Sequence, residues 1–302
     1  MNTFGNVDHK VSVIMNCFNA GPFLKESIES VINQTYTNWE LIFWDNQSSD
    51  NSARIVKAFV DPRIKYFYAY KHTKLYEARN LAIQESKGKY IAFLDTDDLW
   101  HKEKLEKQVK ILMKGEYPFV FSNYNLIDKN SNFLKKAIRF GKKSGMITRE
   151  LIRGYYIGIL TVVFDRSLLD KVGEKFNLNF NHVGDLDFFL RLSEGNAFYY
   201  STETLAQYRV HGNNLSTLKS LELLKELKVL ARQMSDRPFY KNHIDYLNDF
   251  VLYRKYLLLK KGLERGKKFS IIYLAISMKS RIDFFLKLLI LRLIKHKNIF
   301  RS

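Results

Sequence analysis

The first half of the chain alternates short apolar runs with amphipathic segments. "KVSVIM" (10–15) reads as a buried strand. After "NCFNAG", Leu24, Ile28, Val31 and Ile32 recur at helical spacing, and Pro22 suits the first turn of that helix. "WELIFW" (39–44) predicts a second strand running into Asp45, and the polar turn "NQSSDN" leads to a helix with Ile55, Val56 and Phe59 on one face. "RIKYFYAY" (63–70) reads as a third strand, followed by a helix through "YEARNLAIQESK" that stops at Gly88. "KYIAFL" (89–94) is the fourth strand, Leu105, Val109 and Leu112 mark a helix, and "PFVFSNYNLI" (118–127) is the fifth strand.

This alternation predicts an α/β fold, a mostly parallel sheet with helices on both faces. Ligands of such sheets bind beyond the carboxyl ends of the strands. The polar residues fall there: Asn16 to Asn19 after strand one, Asp45 after strand two, and Asp95 to Asp98 after strand four. The middle is less regular. "KKAIRFGKKSG" (135–145) reads as a basic, mobile loop, and "NHVGDLDFFLRL" sets two carboxylates beside an apolar run. From about Thr217 the pattern is helical to the end. The expected division is a catalytic domain over 1–216 and a basic helical region over 217–302.

Composition narrows this picture. At 302 residues, 46% of them hydrophobic, the chain can bury a full core and a smaller second unit. A single cysteine, Cys17, excludes an internal disulfide framework and fits a reducing compartment. "MNTFGNVDHK" has no apolar signal core, and no run of about 18 uncharged apolar residues predicts a membrane span. A cytoplasmic protein is therefore expected. The net charge of +18 is uneven: from Lys219 onward 20 Lys and Arg face 7 Asp and Glu, against 29 and 24 in the first 218 residues. Such a bias points to an anionic partner: a membrane surface, a nucleic acid or a phosphorylated substrate.

"YIAFLDTDDLW" (90–100) carries the sharpest chemistry. In an extended segment Asp95 and Asp97 point to one side, and two convergent carboxylates suit a hard divalent ion such as Mg²⁺ or Mn²⁺ that completes its shell with substrate phosphates. A competing reading makes Asp97 or Asp98 the cap of the next helix. The dinucleotide fingerprint and the phosphate loop are both missing, so neither a nicotinamide enzyme nor a nucleoside triphosphatase is favoured.

"VSVIMNCFNAGPFLKESIESVINQTYTNWELIFWDNQSSDNS", "ARN" at 78–80 and "KGKYIAFLDTDDLW" together resemble inverting family 2 glycosyltransferases of the GT-A fold, over about residues 10 to 215. The resemblance implies that Asp45, with Asn19 nearby, holds the nucleoside of a nucleotide sugar. It places Arg79 near the base and diphosphate, and Asp95 and Asp97 at the ribose and metal. "GDLDFFLRL" is similar to the family's acidic segment, with Asp185 on the catalytic base and Gly184 in place of the usual Glu. "YRVHGNNLS" is similar to the late motif whose histidine, here His211, faces the diphosphate or the metal. Asn16 stands where proline is common, and "DNQSSD" replaces the usual Asp-Gly-Ser-Thr-Asp. The implied reaction is a single inverting displacement. A divalent ion on Asp97 and His211 stabilises the leaving diphosphate, Arg79 assists, and Asp185 takes the acceptor's proton.

The implied donor is a uridine diphosphate hexose or N-acetylhexosamine, and the implied acceptor a glycan or lipid-linked hydroxyl in surface polysaccharide or glycoconjugate synthesis. The alternatives are a nucleotidyltransferase of similar fold and a basic nucleic-acid-binding protein without a recognised binding motif. The tail "RIDFFLKLLILRLIKHKNIFRS" (281–302) has an apolar centre flanked by cations. Its apolar stretch would be about 20 Å long as a helix, too short to cross a core of about 30 Å. It reads either as a packed helix or as a peripheral anchor on the inner face of an anionic membrane.

Overall fold

A computed structural model describes residues 9–138, 141–173, 175–211 and 220–250. The predicted tail anchor lies outside the described residues. Among them no helix is long and apolar enough to cross a membrane. The chain divides into two compact units, Met1–Leu151 with Tyr155–Leu218, and Ile152–Gly154 with Lys219–Ser302.

The first unit is built on one sheet. Its strands are β1 (Val11–Cys17), β2 (Trp39–Asp45), β3 (Ile64–Tyr68), β4 (Tyr90–Phe93), β5 (Leu99–Trp100), β6 (Phe119–Ile127), β7 (Phe133–Lys136), β8 (Val163–Asp165) and β9 (Phe198–Arg209). The spatial order is β3-β2-β1-β4-β8-β6-β9-β5, with β7 paired to β6. β1 to β4 are mutually parallel, β6 is parallel to β9, and β8 runs antiparallel between β4 and β6. The mostly parallel sheet expected from the sequence is present, and its antiparallel pairings fall in the second half.

Helices α1 (Leu24–Ile32), α2 (Ser52–Lys57), α3 (Leu75–Glu85), α4 (Lys104–Leu112), α5 (Thr148–Arg153), α6 (Ser167–Val172) and α7 (Gly184–Ser193) accompany it. Alternation along the strands serves two cores. Val11, Val13, Met15, Leu41 and Phe43 meet Leu24, Ile28 and Val31 of α1, Val56 of α2, and Leu105 and Val109 of α4. The opposite face carries α3, packed on β1 and β2, and an aromatic core. There Phe119 stacks on Phe198 at 3.8 Å and meets Phe189 of α7 edge-on, while Phe188 of α7 meets Phe164 and Phe176. Each aromatic pair adds about 0.5–1.5 kcal/mol beyond area burial, so this cluster fixes the helix whose first turn carries Asp185.

Gly88 follows α3 for a reason the sequence did not disclose. A Cβ there would lie 2.6 Å from the Lys10 carbonyl oxygen and the Ser12 nitrogen. The residue lets the chain pass against β1, and its N–H donates to Ser12 Oγ. The segment 135–145, expected as a loop, begins as strand: Lys136 pairs with Asn125 in β7. The Asn123 amide then brackets Ile138 through its N–H and carbonyl, and Gly145 exchanges two backbone hydrogen bonds with Phe198.

In the second unit, α8 (Ser220–Asp236) buries Leu227, Leu230 and Met234 at helical spacing. It ends before Arg237, whose extended backbone is what a residue preceding proline favours, and α9 (Pro238–Lys241) follows. Residues 244–250 are helical, and the buried Asp249 accepts from Arg153 Nε at 2.9 Å.

Candidate active site

At the carboxyl ends of β1, β2 and β3 three loops are laced together. Asn19, in the left-handed region at φ 52°, accepts from the Ser49 and Asp50 N–H groups at 2.8 and 3.3 Å. Its own N–H donates to Ser48 Oγ. Asp45 is fully buried, and its two oxygens accept from Ser48 N–H at 2.7 Å and the Tyr66 hydroxyl at 2.6 Å. The carboxylate expected to touch a nucleoside is therefore occupied in shaping the loop around it. Asn46 extends the lacing to Thr73, accepting from its N–H and hydroxyl and donating to its carbonyl. Gln47 stands in the same turn at φ 67°, a conformation that favours glycine. Phe18, exposed above this floor, lies 4.4 Å from the His72 ring. Cys17 is buried, and burial pushes its thiol up, so it is a packing residue here and not a nucleophile.

The acidic run after β4 is a turn. Asp98 N–H closes back onto the Asp95 carbonyl at 3.2 Å, so strand alternation does not hold across it. Asp95 and Asp97 are instead held by different side chains. Asp95 Oδ1 accepts from Arg79 Nη2 at 2.7 Å, and Asp97 Oδ2 meets His211 Nε2 at 2.8 Å. Arg79 is buried, its guanidinium lying 5.8 Å from the Tyr76 and Phe176 ring centres. Burial opposes its charge, but Asp95, with Tyr76 and Asp185, more than restores it, so its pKa lies above the ordinary arginine value. Asp97 is pushed up by burial and then by Asp95, with His211 opposing. Asp98 is raised further, by burial and by both neighbouring carboxylates.

Neither Asp97 nor Asp98 caps the next helix, which starts at Lys104. Asp98 Oδ1 accepts Arg209 N–H at 2.9 Å, and Oδ2 is buried with no hydrogen-bond partner. The Arg209 side chain clamps the turn from behind. It donates to the Asp97 carbonyl, Ser131 Oγ and Glu26 Oε2, and stacks over Phe23 at 4.4 Å.

Across Arg79 lies Asp185, in the first turn of α7. Burial raises its pKa, and Arg79 is the largest influence opposing that rise. Its Oδ1 accepts from Leu186 N–H at 2.9 Å and its Oδ2 from the Tyr155 hydroxyl at 3.3 Å. Asp187 is buried and paired with Arg191 through Nε at 3.0 Å and Nη2 at 2.8 Å, the arrangement of a structural residue. Gly184, in place of the usual Glu, has a packing cause. A Cβ there would stand 2.4 Å from Tyr76 Cε2, and Tyr76 is itself buried and stacked on Phe176. Gly184→Ala should therefore lower stability by about 1–3 kcal/mol through overpacking, measured by denaturant unfolding, with Tyr76→Leu in the same chain restoring most of it. A Gly184→Ala protein as stable as the parent would show that the ring yields freely.

The structure thus brings Arg79, Asp95, Asp97, His211 and Asp185 into one region, with Asn19 and Asp45 building the adjoining loops. Sequence reasoning missed Tyr66, Tyr76, Tyr155 and Arg209. Arg209 could have been noticed as the arginine two residues before His211 in "YRVH"; the tyrosines left no signal, because their partners are distant in the chain.

The donor set fits a hard divalent ion. Asp97 supplies oxygen and His211 nitrogen, three carboxylates crowd one turn, and one buried Asp98 oxygen lacks a partner. Among the described residues no three His, Cys, Asp or Glu side chains converge so as to hold a metal ion between them. Two protein ligands suit an ion whose other positions are filled by substrate oxygens and water.

A family model, Glycosyl transferase family 2, matches residues 12–173. The Escherichia coli UDP-Glc:alpha-D-GlcNAc-diphosphoundecaprenol beta-1,3-glucosyltransferase WfgD is 36% identical over 247 residues, covering 81% of this chain and 93% of that protein. The putative teichuronic acid biosynthesis glycosyltransferase TuaG of Bacillus subtilis is 33% identical over 212 residues, 69% of this chain and 82% of TuaG. Among solved structures, S. aureus TarS 1–349 in complex with UDP-GlcNAc matches with a TM-score of 0.69 at 16% identity, over 92% of this chain and 79% of that one. At that identity the likeness speaks for the fold alone.

Proposed function

The chain belongs to glycosyl transferase family 2 and has the GT-A fold, and from that premise we propose a specific transfer reaction. A hexose or N-acetylhexosamine passes from a uridine diphosphate sugar to a hydroxyl of a lipid-linked glycan, with inversion, during surface polysaccharide synthesis. The carrying observation is the position of Arg79 between two carboxylates of different task. It is paired with Asp95 on the donor side and holds down the pKa of Asp185 on the other. A relative supports the substrate classes: WfgD acts from UDP-Glc on a diphosphoundecaprenol-linked GlcNAc.

In the proposed reaction the acceptor oxygen attacks C1 from the face opposite the diphosphate. The C1–O bond breaks, its electron pair stays with the leaving diphosphate, and Asp185 takes the acceptor's proton as the new bond forms. Burial suits Asp185 to this, since a carboxylate raised above its ordinary range is a better base. Arg79 stabilises charge electrostatically. The laced loops carrying Asn19 and Asp45 form the nucleoside floor. Asp97 and His211 are the residues that would hold Mg²⁺ or Mn²⁺, which when bound neutralises a leaving diphosphate. The family match decides for glycosyl transfer over the nucleotidyltransferase alternative.

The test is a screen of nucleotide sugars with a polyprenyl-diphosphate sugar as acceptor. UDP release from a UDP-sugar, stimulated by the acceptor and giving a β-linked product from an α-linked donor, is the expected result. Preference for a guanosine or thymidine diphosphate sugar, or retention of configuration, would refute the corresponding part of the proposal.

A further inference from the structure

Asp185 has a partner that the reaction above leaves unused. The Tyr155 hydroxyl, on the loop after α5 and 30 residues away in sequence, donates to Asp185 Oδ2 at 3.3 Å. The other oxygen accepts Leu186 N–H at 2.9 Å. One donor on each oxygen fixes the rotation of the carboxylate about its Cβ–Cγ bond and leaves a lone pair on each for an incoming proton.

The other groups facing Asp185 are placed differently. From α3, Arg79 is engaged by Asp95, and the Tyr76 ring packs against Gly184, next to Asp185. From β6, Tyr124 senses the charge of Asp185 without a hydrogen bond to it. Tyr155 is thus the side-chain donor to this carboxylate among the described residues. Tyr155 itself faces Asp185, Tyr76 and Tyr124, and burial raises its pKa well above the ordinary value, with Asp185 adding to that rise. It stays a protonated donor throughout the working range.

We propose that Tyr155 is a positioning residue for the general base: its hydroxyl orients the Asp185 carboxylate toward the acceptor oxygen and keeps it ionised when the acceptor excludes water. The proposal rests on the reading of Asp185 as the base. A carboxylate free to rotate in a buried site spends less time aligned with the attacking hydroxyl, and misalignment acts on turnover, not on donor affinity. Losing a donor to the charged form also raises a carboxylate's pKa, so the base becomes protonated at a higher pH.

The experiment uses the full chain with Tyr155→Phe, Asp185→Asn and the double variant, reading kcat, donor KM, UDP affinity and the pH profile of kcat. Tyr155→Phe should lower kcat about tenfold with donor KM and UDP affinity within about twofold, and move the acid limb up by about half to one pH unit. Added to Asp185→Asn, it should change turnover less than about twofold, because both act through one carboxylate. If Tyr155→Phe folds poorly, as judged by thermal unfolding, 3,5-difluorotyrosine at position 155 is the second variant. Its more acidic phenol is a stronger donor, and the acid limb should move down. An unmoved acid limb in whichever variant folds, with Asp185→Asn inactive, overturns the role of Tyr155 and leaves the base in place. Substantial turnover by Asp185→Asn overturns the base reading itself.

Discussion

Asp185→Asn is expected to lower turnover by about 10²-fold or more while leaving donor affinity within a few-fold. Asparagine keeps the size of the side chain, and its amide oxygen can still accept from Tyr155 or from Leu186 N–H. What it cannot do is take a proton from the acceptor. The Arg79–Asp95 and Asp97–His211 pairs, on the proposed donor side, are untouched by the change. The informative comparison is Asp187→Asn. Asp187 is buried and spends its carboxylate on Arg191, so its loss should register in unfolding, with turnover per folded molecule close to the parent. The reverse pattern, Asp187→Asn inactive and Asp185→Asn active, would show that the roles have been exchanged. In the parent, the acid limb of kcat should fall above the ordinary carboxylate range, because burial raises the Asp185 pKa and Arg79 only partly opposes it. The sign follows from the base having to be ionised: activity is lost as pH falls through that raised value.

How far these residues could be read beforehand depended on the length of the apolar run that positions each one. β1, β2, β4 and β6 are buried along most of their length, and their limits lie close to those the pattern predicted. β9 is longer than any of them, yet left no clear signature. Its pairing with β6 slips after Ser201, where Asn123 is opposite Thr204, so alternation breaks in the middle of the strand. β5 and β8 are two and three residues long, too short for periodicity to register. β7 is wholly exposed with two lysines and reads as loop, which is how an edge strand protected by charge looks in a sequence.

The same physics separates what was legible in the site from what was not. Asp45 ends the buried strand β2 and Asp95 to Asp98 come just after the buried strand β4, so topology placed them at the carboxyl edge. Their hydrogen-bond partners are a different matter. Tyr66 reaches Asp45 across 21 residues, Tyr155 reaches Asp185 across 30, and Arg209 reaches the Asp97 carbonyl across 112. No local pattern encodes such a pair. Asp185 itself was placed by resemblance alone. Strand alternation does not set the directions of Asp95 and Asp97, because the chain has already turned there, closed by the Asp98 N–H.

That turn sets up the second large effect. Three carboxylates within four residues are costly together without a counter-charge. Arg79 answers Asp95, and the Asp98 charge is disfavoured by its burial, which leaves Asp97 with His211. If that pair is half of a metal site completed by a substrate diphosphate, Asp97→Asn should weaken Mn²⁺-dependent UDP binding by about tenfold or more. It should also lower turnover by about 10²-fold, the scale of lost Lewis-acid stabilisation. Excess chelator should abolish transfer by the parent, and added Mn²⁺ or Mg²⁺ should restore it. His211→Ala should act in the same direction and less strongly, since an oxygen ligand from water can replace the imidazole on a hard ion. A purely structural Asp97–His211 ion pair makes the opposite forecast. Both variants would then unfold more easily, and UDP binding by the molecules that remain folded would keep its full response to metal. Calorimetric titration of UDP with and without Mn²⁺, beside thermal unfolding of each variant, separates the two outcomes. Full turnover by metal-free parent protein in chelator would remove the ion from the reaction and leave Arg79 as the cation available to the leaving diphosphate.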